Sequence, residues 1–588
     1  MIYFTTRSLA ILMNILGIIT VFFFLNLTYT EFINIFTEYL SVENQETLEG
    51  FIPETKFKFF RFIGLTFGVF FFLLGIHAFI FTKNLTLIFK NILKKVIGIC
   101  EEVKKVEKQY LLMLLYLTGF IFLFRMYLVI NFPISYDEAW TFLSFTERGF
   151  LVSASFFPTP NNHVFHSLLT SIAYYLPFNT TFNLRFPVLL FGTLSIPVFF
   201  FVFRKYFGDY LSFVLTILFG LLFPTTLYGY QARGYTLVIF FFLISFYGSL
   251  KLLQQRKINN TSINWFYLCF GSVLGMYTLP VFIYPYFCFV SFLACTFIFN
   301  KNFKLLIRLF ISVLVTGVSV IILYSPIFVF SGLDVFNNPV VSQRPRTFIL
   351  ENLFNHFQQT FEFLFFSYWS ALIIIFISIL LSIRNKLTIE NKFMVYIIFV
   401  SPLIIFLHSV IPPVRIWNYL VVPALFLLGS FLKDIIVINK NWAFSGFVFI
   451  FSILLGVLSF NTIKLDEESS FQVQDLSSLF ISKKAKTLYF NPPNLIETNL
   501  RYVFKEKNFS VNFIVTEEDA IKDLKIQSES PDYLILTRYG LGGDRWLNKG
   551  ITGYTFLKKI CDEPSSEKSL SCRGCGCDGS DIYIYRKI

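Results

Sequence analysis

Long apolar runs, each near the length of a membrane crossing and closed by a short polar or basic connection, fill most of the chain. A helix needs about 20 apolar residues, at 1.5 Å each, to cross the hydrocarbon layer. Such runs occupy 8–28, 59–82, 110–131, 186–204, 210–228, 235–253, 265–280, 281–299, 306–329, 363–383, 393–410, 418–436 and 442–461. They predict a mainly α, polytopic transmembrane helical bundle of about thirteen spans. Pro280 and Pro285 interrupt 265–299, the least regular of these stretches. The run after Arg7, from Leu9 to Leu27, is long for a signal segment and has no small-residue cleavage site behind it, so an uncleaved span is expected.

The connections set the orientation. Lys83, Lys90, Lys94, Lys95, Lys104, Lys105 and Lys108 crowd the segment after the second run. Arg204-Lys205, Arg256-Lys257, Lys301/Lys304/Arg308, Arg384/Lys386/Lys392 and Lys433/Lys440 mark later connections. All fall on one side if the N-terminus is cytoplasmic, and an odd number of spans then places the C-terminus outside. The same threading puts 29–58, 132–185, 229–234, 330–362, 411–417 and everything after about 462 on the outer face. Segment 163–178 is apolar but short and ends at Pro177; it is expected to lie along or dip into the outer interface, since crossing there would invert every later charge signal.

From Lys464 the pattern becomes that of a soluble unit. Strands are predicted at Lys486–Asn491, Val511–Val515, Tyr533–Thr537 and Ile582–Tyr585, and helices at Leu495–Lys507 and Glu517–Lys525, giving a small extracytoplasmic α/β domain. Its G-L-G-G run, Gly540–Gly543, suits a turn and is no dinucleotide fingerprint. Cys561, Cys572, Cys575 and Cys577 favour disulfides outside the cell, although C-R-G-C-G-C also offers a zinc half-site. The division expected is 1–109, two leading spans with a basic linker; 110–463, the main bundle; and 464–588, the outer domain.

Composition sharpens the class. The 588 residues are 55% hydrophobic and 14% charged with mean hydropathy +0.66, which excludes an ordinary soluble protein. The 82 phenylalanines suit lipid-facing helix surfaces. A net charge of +13 raises nucleic acid as a partner, but the cations are spread through short connections and form no basic patch on a soluble module. The membrane is the partner; nucleic acid is not.

The largest polar interruption in the N-terminal half is Asn131–His166. It carries the adjacent acids Asp137 and Glu138, which diverge by about 100° on a helix and so cannot serve one atom equally. An ionised Asp at the end of a span suits a general base taking a proton from a hydroxyl, whereas Ser135 or Asp137 would equally serve as a helix N-cap. His163 and His166, three apart, share a helix face as a substrate edge or half a metal site; a divalent metal stays open and no cofactor is otherwise called for. Arg233, in Y-G-Y-Q-A-R-G-Y, and Arg415, in I-P-P-V-R-I-W-N-Y, sit in short outer loops. Either guanidinium suits a phosphate, or snorkels to lipid headgroups. Arg125 lies about 9 Å inside its span, where snorkelling outward is the simplest expectation. Arg344 and Arg346 fall in the long 330–362 loop, which could form a lid.

Taken in order, Y-D-E-A-W, N-N-H-V-F-H-S-L-L, L-R-F-P-V-L-L-F-G-T-L with R-K-Y-F-G behind it, Y-Q-A-R-G-Y-T-L and P-P-V-R-I-W-N-Y-L-V-V-P resemble the GT-C superfamily of integral-membrane glycosyltransferases. Within it they are most similar to the protein-mannosyltransferase/aminoarabinose-transferase group, over roughly 110–430. The resemblance implies a sugar moved from a polyprenyl-phosphate-linked donor to a hydroxyl of a lipid, glycan or protein acceptor on the outer face of the inner membrane, with inversion. It implies Asp137 as base with Glu138 supporting it, Arg233 and Arg415 on the donor phosphate, and Tyr136, Asn162, His163, His166, Arg185 and Tyr235 lining the cavity. The chain departs from the pattern in its two leading spans and in Val164, where the group usually has proline after the loop histidine.

Two rival classes have distinct signatures. A transporter or flippase should carry ionisable groups near mid-membrane and inverted repeats, whereas here they gather at one face. An O-antigen-type ligase or polymerase would use a pyrophosphate-linked glycan and rely on arginine and histidine rather than an early Asp-Glu pair.

Overall fold

The computed structural model describes residues 2–40, 53–83, 86–87, 90, 102–157, 161–255, 262–331, 343–383, 387–435, 442–491, 495–515, 530–537, 553–560 and 582–588. Every one of the thirteen apolar runs falls on helix. Among the described residues nine helices are long and apolar enough to cross a membrane, eleven if Ala10–Asn26 with Tyr29–Ile35 and Arg346–Phe365 with Trp369–Leu381 are each one bent span. The remaining two arise from chain geometry. Runs 186–204 and 210–228 merge into Thr180–Leu221, and Ser262–Thr278 has 17 residues. The chain is a multi-pass membrane protein.

At 42 residues, Thr180–Leu221 is about twice the length of one crossing. It breaks at Gly208, whose φ of +73° suits a residue without a Cβ. Arg204 pairs with Asp209 across that break and donates to Lys105 O, so the basic connection is also a corner brace. Phenylalanine serves inside as well as outside. Phe199, Phe200, Phe203 and Phe219 are fully buried, with Phe199 stacked on Phe219 at 4.3 Å, while Phe22, Phe62 and Phe310 are exposed, as lipid-facing side chains would be.

The leading helices Ile2–Asn26 and Glu54–Ile80 pack on each other through Gly17, Gly64, Gly68 and Gly75. A Cβ on Gly17 would lie 2.6 Å from Phe72 N, so glycine there permits backbone contact. The second of these helices reaches the main bundle at Phe303–Ser331. The expected loop 330–362 is corrected in part: Arg346–Phe365 is helical, which removes most of the lid, and residues 332–342 lie outside the described ones.

The C-terminal sheet has the order β2-β1-β3-β5-β4, with β1 Thr487–Asn491, β2 Asn512–Val515, β3 Tyr533–Thr537, β4 Tyr554–Ile560 and β5 Ile582–Lys587. β2, β1 and β3 are parallel, and β5 and β4 are antiparallel to their neighbours. Leu495–Glu506 covers one face through Leu500 and Phe504, and packs on the short helix Tyr136–Thr141 of the bundle. β4 is the strand that the sequence pattern did not announce. The expected Glu517–Lys525 helix, the Gly540–Gly543 turn and Cys561, Cys572, Cys575 and Cys577 lie outside the described residues.

Candidate active site

The Lys108–Asn131 helix stops where Phe132-Pro133 forces extended backbone, and Ser135 caps the short helix Tyr136–Thr141. Glu138, in the first turn, accepts from Ser135 N at 3.0 Å and Ser135 Oγ at 3.1 Å. The capping role therefore belongs to Ser135 and Glu138, and Asp137 is released to the other side of the helix.

Glu138 is fully buried and paired in bidentate fashion with Arg185, also fully buried. Arg185 Nε reaches Oε1 and Nη2 reaches Oε2, both at 2.8 Å. Its remaining N–H groups go to Val129 O, Phe132 O and Pro133 O. All five donors of the guanidinium are thereby used on protein acceptors. Burial alone would raise the Glu138 carboxyl, but the Arg185 charge and the hydrogen bonds from Arg185, Ala232 and Ser135 outweigh it and hold the group ionised, below its ordinary value. Arg185 was expected to line the cavity and Glu138 to support Asp137. The geometry makes the two a clamp that ties the end of one span, the Asp137 helix and the Arg233 segment together, since Ala232 N also donates to Glu138 Oε1 at 2.7 Å.

Asp137 faces a different way, with its side chain a quarter exposed. Arg233 Nη2 lies 3.3 Å and Arg415 Nη1 3.2 Å from its Oδ2. These two arginines come from segments far apart in sequence and converge on one carboxylate oxygen. Arg233 is 2% exposed, so it is no lipid-facing snorkel, and it also reaches Thr141 Oγ1 at 3.5 Å. Arg415 is carried by the 3-10 turn Val414–Leu420, which Trp417 anchors by donating to His356 Nε2 at 2.8 Å. Tyr235 presents its ring to both guanidiniums, each 5.9 Å from the centroid.

His163 is buried with its ring edge-on to Tyr235 at 4.9 Å. Burial first, then the nearby Arg233 charge, push its pKa well below the ordinary histidine value, so the ring is neutral near pH 7. Gly234 N donates to Nδ1 at 2.7 Å, which leaves the ring proton on Nε2. That nitrogen sits 3.3 Å from Arg233 Nη2, two donors side by side. An anionic oxygen beside them would satisfy both. Two guanidiniums thus meet one carboxylate beside a neutral His163 and a self-compensated Glu138–Arg185 pair.

Other expected residues have different places. Asn162 is buried and pins its own loop, donating to Ser153 O and Phe156 O and accepting from Ser167 Oγ. His166 is fully enclosed, and neither ring nitrogen has a hydrogen-bond partner among the described residues. With His163 Nδ1 engaged, and no group of three or more His, Cys, Asp or Glu placed to hold a metal among the described residues, the histidine pair is not part of a completed metal cluster there. Tyr136 is half-buried on the Asp137 helix and pairs with the Trp140 ring at 6.2 Å. Arg125 does not snorkel outward: it is 2% exposed, lies against Gly229 and donates to Thr225 O at 2.9 Å beneath the Arg233 segment. Glu467, Gln231 and Thr141 were not singled out from sequence. Glu467 sits in a D-E-E-S-S run that marks a change of composition and gives no sign of burial.

No family model and no curated protein matches the chain. Among solved structures it is similar to ArnT from Cupriavidus metallidurans in the apo state, with TM-score 0.47, 12% identity, and 82% of this chain and 98% of that chain covered. It is also similar to the same ArnT bound to undecaprenyl phosphate, with TM-score 0.45 at 12% identity and the same coverage.

Proposed function

We propose that this protein is a membrane glycosyltransferase that moves a sugar from a polyprenyl-phosphate donor to an acceptor hydroxyl at the outer face of the inner membrane. The observation that carries it is the convergence of Arg233 and Arg415 on Asp137 Oδ2. A carboxylate fit to take a proton and a pair of cations fit to hold a phosphate are thus within one hydrogen bond of each other. The order of the sequence motifs supplies the donor class.

In the proposed reaction the acceptor oxygen attacks the anomeric carbon as the bond from that carbon to the phosphate oxygen breaks. Asp137 takes the hydroxyl proton, and the bonding pair leaves on polyprenyl phosphate. Arg233, Arg415 and the Nε2–H of His163 stabilise the charge that grows there. A phosphate leaving group needs little protonation, so one carboxylate suffices, and the attack inverts the anomeric centre. In this scheme residues 110–463 form the catalytic bundle and 464–588 the outer domain, with the N-terminus cytoplasmic.

The test is transfer from labelled polyprenyl-phosphate monosaccharides in membranes. Transfer from at least one of a panel of such donors is expected; none from any donor would overturn the assignment. Arg233→Ala should raise the apparent donor KM by about 10- to 100-fold, as for loss of a charge-assisted hydrogen bond of roughly 1.5–3 kcal/mol. An unchanged donor KM would remove Arg233 from the phosphate site.

A further inference from the structure

Glu467 follows directly on the last long apolar helix, Trp442–Asp466, and is 2% exposed against the far side of the Arg233 segment. Tyr230 Oη donates to its Oε1 at 3.1 Å, and Gln231 Nε2 donates to the same oxygen. The next residues are held from other directions, Ala232 N by Glu138 and Gly234 N by His163. Residues 230–234 are therefore tethered on both sides of Arg233, whose side chain alone projects to Asp137. Tyr230 also takes the Arg185 guanidinium against its ring, 5.3 Å from the centroid, so the Glu467 tether and the Glu138 clamp share a wall.

We propose that Glu467 is a positioning residue for Arg233, through which the start of the C-terminal unit keeps the phosphate-binding arginine in register with Asp137. This rests on the assignment of Arg233 to the donor phosphate. The physical need is plain. An arginine side chain is long and flexible, so its guanidinium is fixed only if the backbone beneath it is, and a misplacement of about 1 Å can cost 10²-fold in rate. Two hydrogen bonds onto one ionised carboxylate oxygen are stronger than two onto a neutral one.

The tether is also sensitive to pH. The charged and titratable groups facing Glu467 are Glu138 on the Asp137 helix, Arg185 on Thr180–Leu221, Tyr230 in the tethered segment and Asp466 next to it. Burial first, then repulsion from Glu138 and Asp466, raise its carboxyl to about 7. Because the folded-state value lies above the unfolded one, the stability it contributes is full at low pH and lost as pH rises through about 7. Its grip on Tyr230 and Gln231 runs the other way, tightening as the carboxylate ionises. A phosphodiester donor keeps its single charge over this range and adds no inflection of its own.

The test compares wild type, Glu467→Gln and Glu467→Ala in membranes, reading donor KM, acceptor KM and kcat from about pH 5.5 to 8.5. Glu467→Gln keeps shape and an acceptor oxygen but not the charge. It should raise donor KM about 3- to 10-fold above pH 7, the scale of one weakened hydrogen bond. It should also abolish the wild-type change in donor KM near pH 7 and leave acceptor KM unmoved. A wild-type donor KM at every pH in Glu467→Gln, in membranes where Arg233→Ala is impaired, would overturn the positioning role while leaving the functional assignment standing. Hydrogen exchange at the 229–235 amides reads the tether without substrate, so it stays decisive if wild type shows no transfer or Glu467→Ala does not fold. Faster exchange in Glu467→Gln is expected; unchanged exchange would equally overturn it.

Discussion

Asp137→Asn is expected to lower kcat by about 10²- to 10⁴-fold, the usual scale of a general base, while the protein still folds and inserts. Asparagine has the same shape and can turn its carbonyl oxygen toward Arg233 Nη2 and Arg415 Nη1, so the local packing survives. What disappears is the charge that takes the proton. Losing that negative charge makes the surroundings of the two guanidiniums more positive, which favours an anionic donor. Donor KM should therefore stay level or fall even as turnover collapses. That split separates a base from a phosphate ligand, because Arg233→Ala should raise donor KM as well as slow turnover. Measuring both constants for both variants decides the matter: undiminished kcat in Asp137→Asn would end the base assignment, and a raised donor KM would point to a binding role instead.

Breaking the Glu138–Arg185 pair should have the largest effect on stability. Glu138→Ala or Arg185→Ala leaves one buried ion uncompensated, a change that typically costs about 3–5 kcal/mol. Glu138→Ala also strands Ala232 N and two Arg185 donors, while Arg185→Ala frees Val129 O, Phe132 O and Pro133 O. Arg185→Lys should fall close to the alanine variants, because an ammonium cannot reproduce a fork that fills five acceptor contacts. The double replacement Glu138→Leu/Arg185→Met, apolar and of similar bulk, should unfold less readily than either single alanine variant. Thermal unfolding in detergent measures this. If the double variant is less stable than both singles, the pair is contributing net stability rather than geometry. If the singles unfold like wild type, the clamp is not holding the site helix.

The same pair shows what could and could not be read in advance. Y-D-E-A-W placed two acids at the end of a span, and helical geometry required them to face different ways. Which one faced the pocket was undecided by local chemistry, since Asp137 and Ser135 were equal candidates for the cap. Ser135 takes that role because Glu138, three residues on, returns a carboxylate to its N–H and is itself locked by Arg185. Arg185, Arg233 and Arg415 were all placed on the outer face, and only the resemblance separated the first, on the cavity wall, from the two on the phosphate. Tertiary structure sorts them by the acceptors around each: Arg185 is saturated by protein, whereas Arg233 and Arg415 meet at Asp137. Arg125 follows the same rule, turning inward because Thr225 O and the absence of a side chain on Gly229 make room for it.

By itself the sequence determined the class of molecule, the position of the apolar runs that become helix, and most of the C-terminal sheet. Those follow from local quantities, namely run length, alternation and the sign of charge in each connection, which need no knowledge of neighbours. It also named Asp137, Arg233 and Arg415. Only the tertiary structure decided that these three meet, that Glu138 and Arg185 compensate each other, and that Glu467 reaches back under the Arg233 segment. The physical reason is common to all three. The fate of a buried charge depends on the partners that fold around it, and here those partners lie far away along the chain, from Glu138 with Arg185 to Asp137 with Arg415.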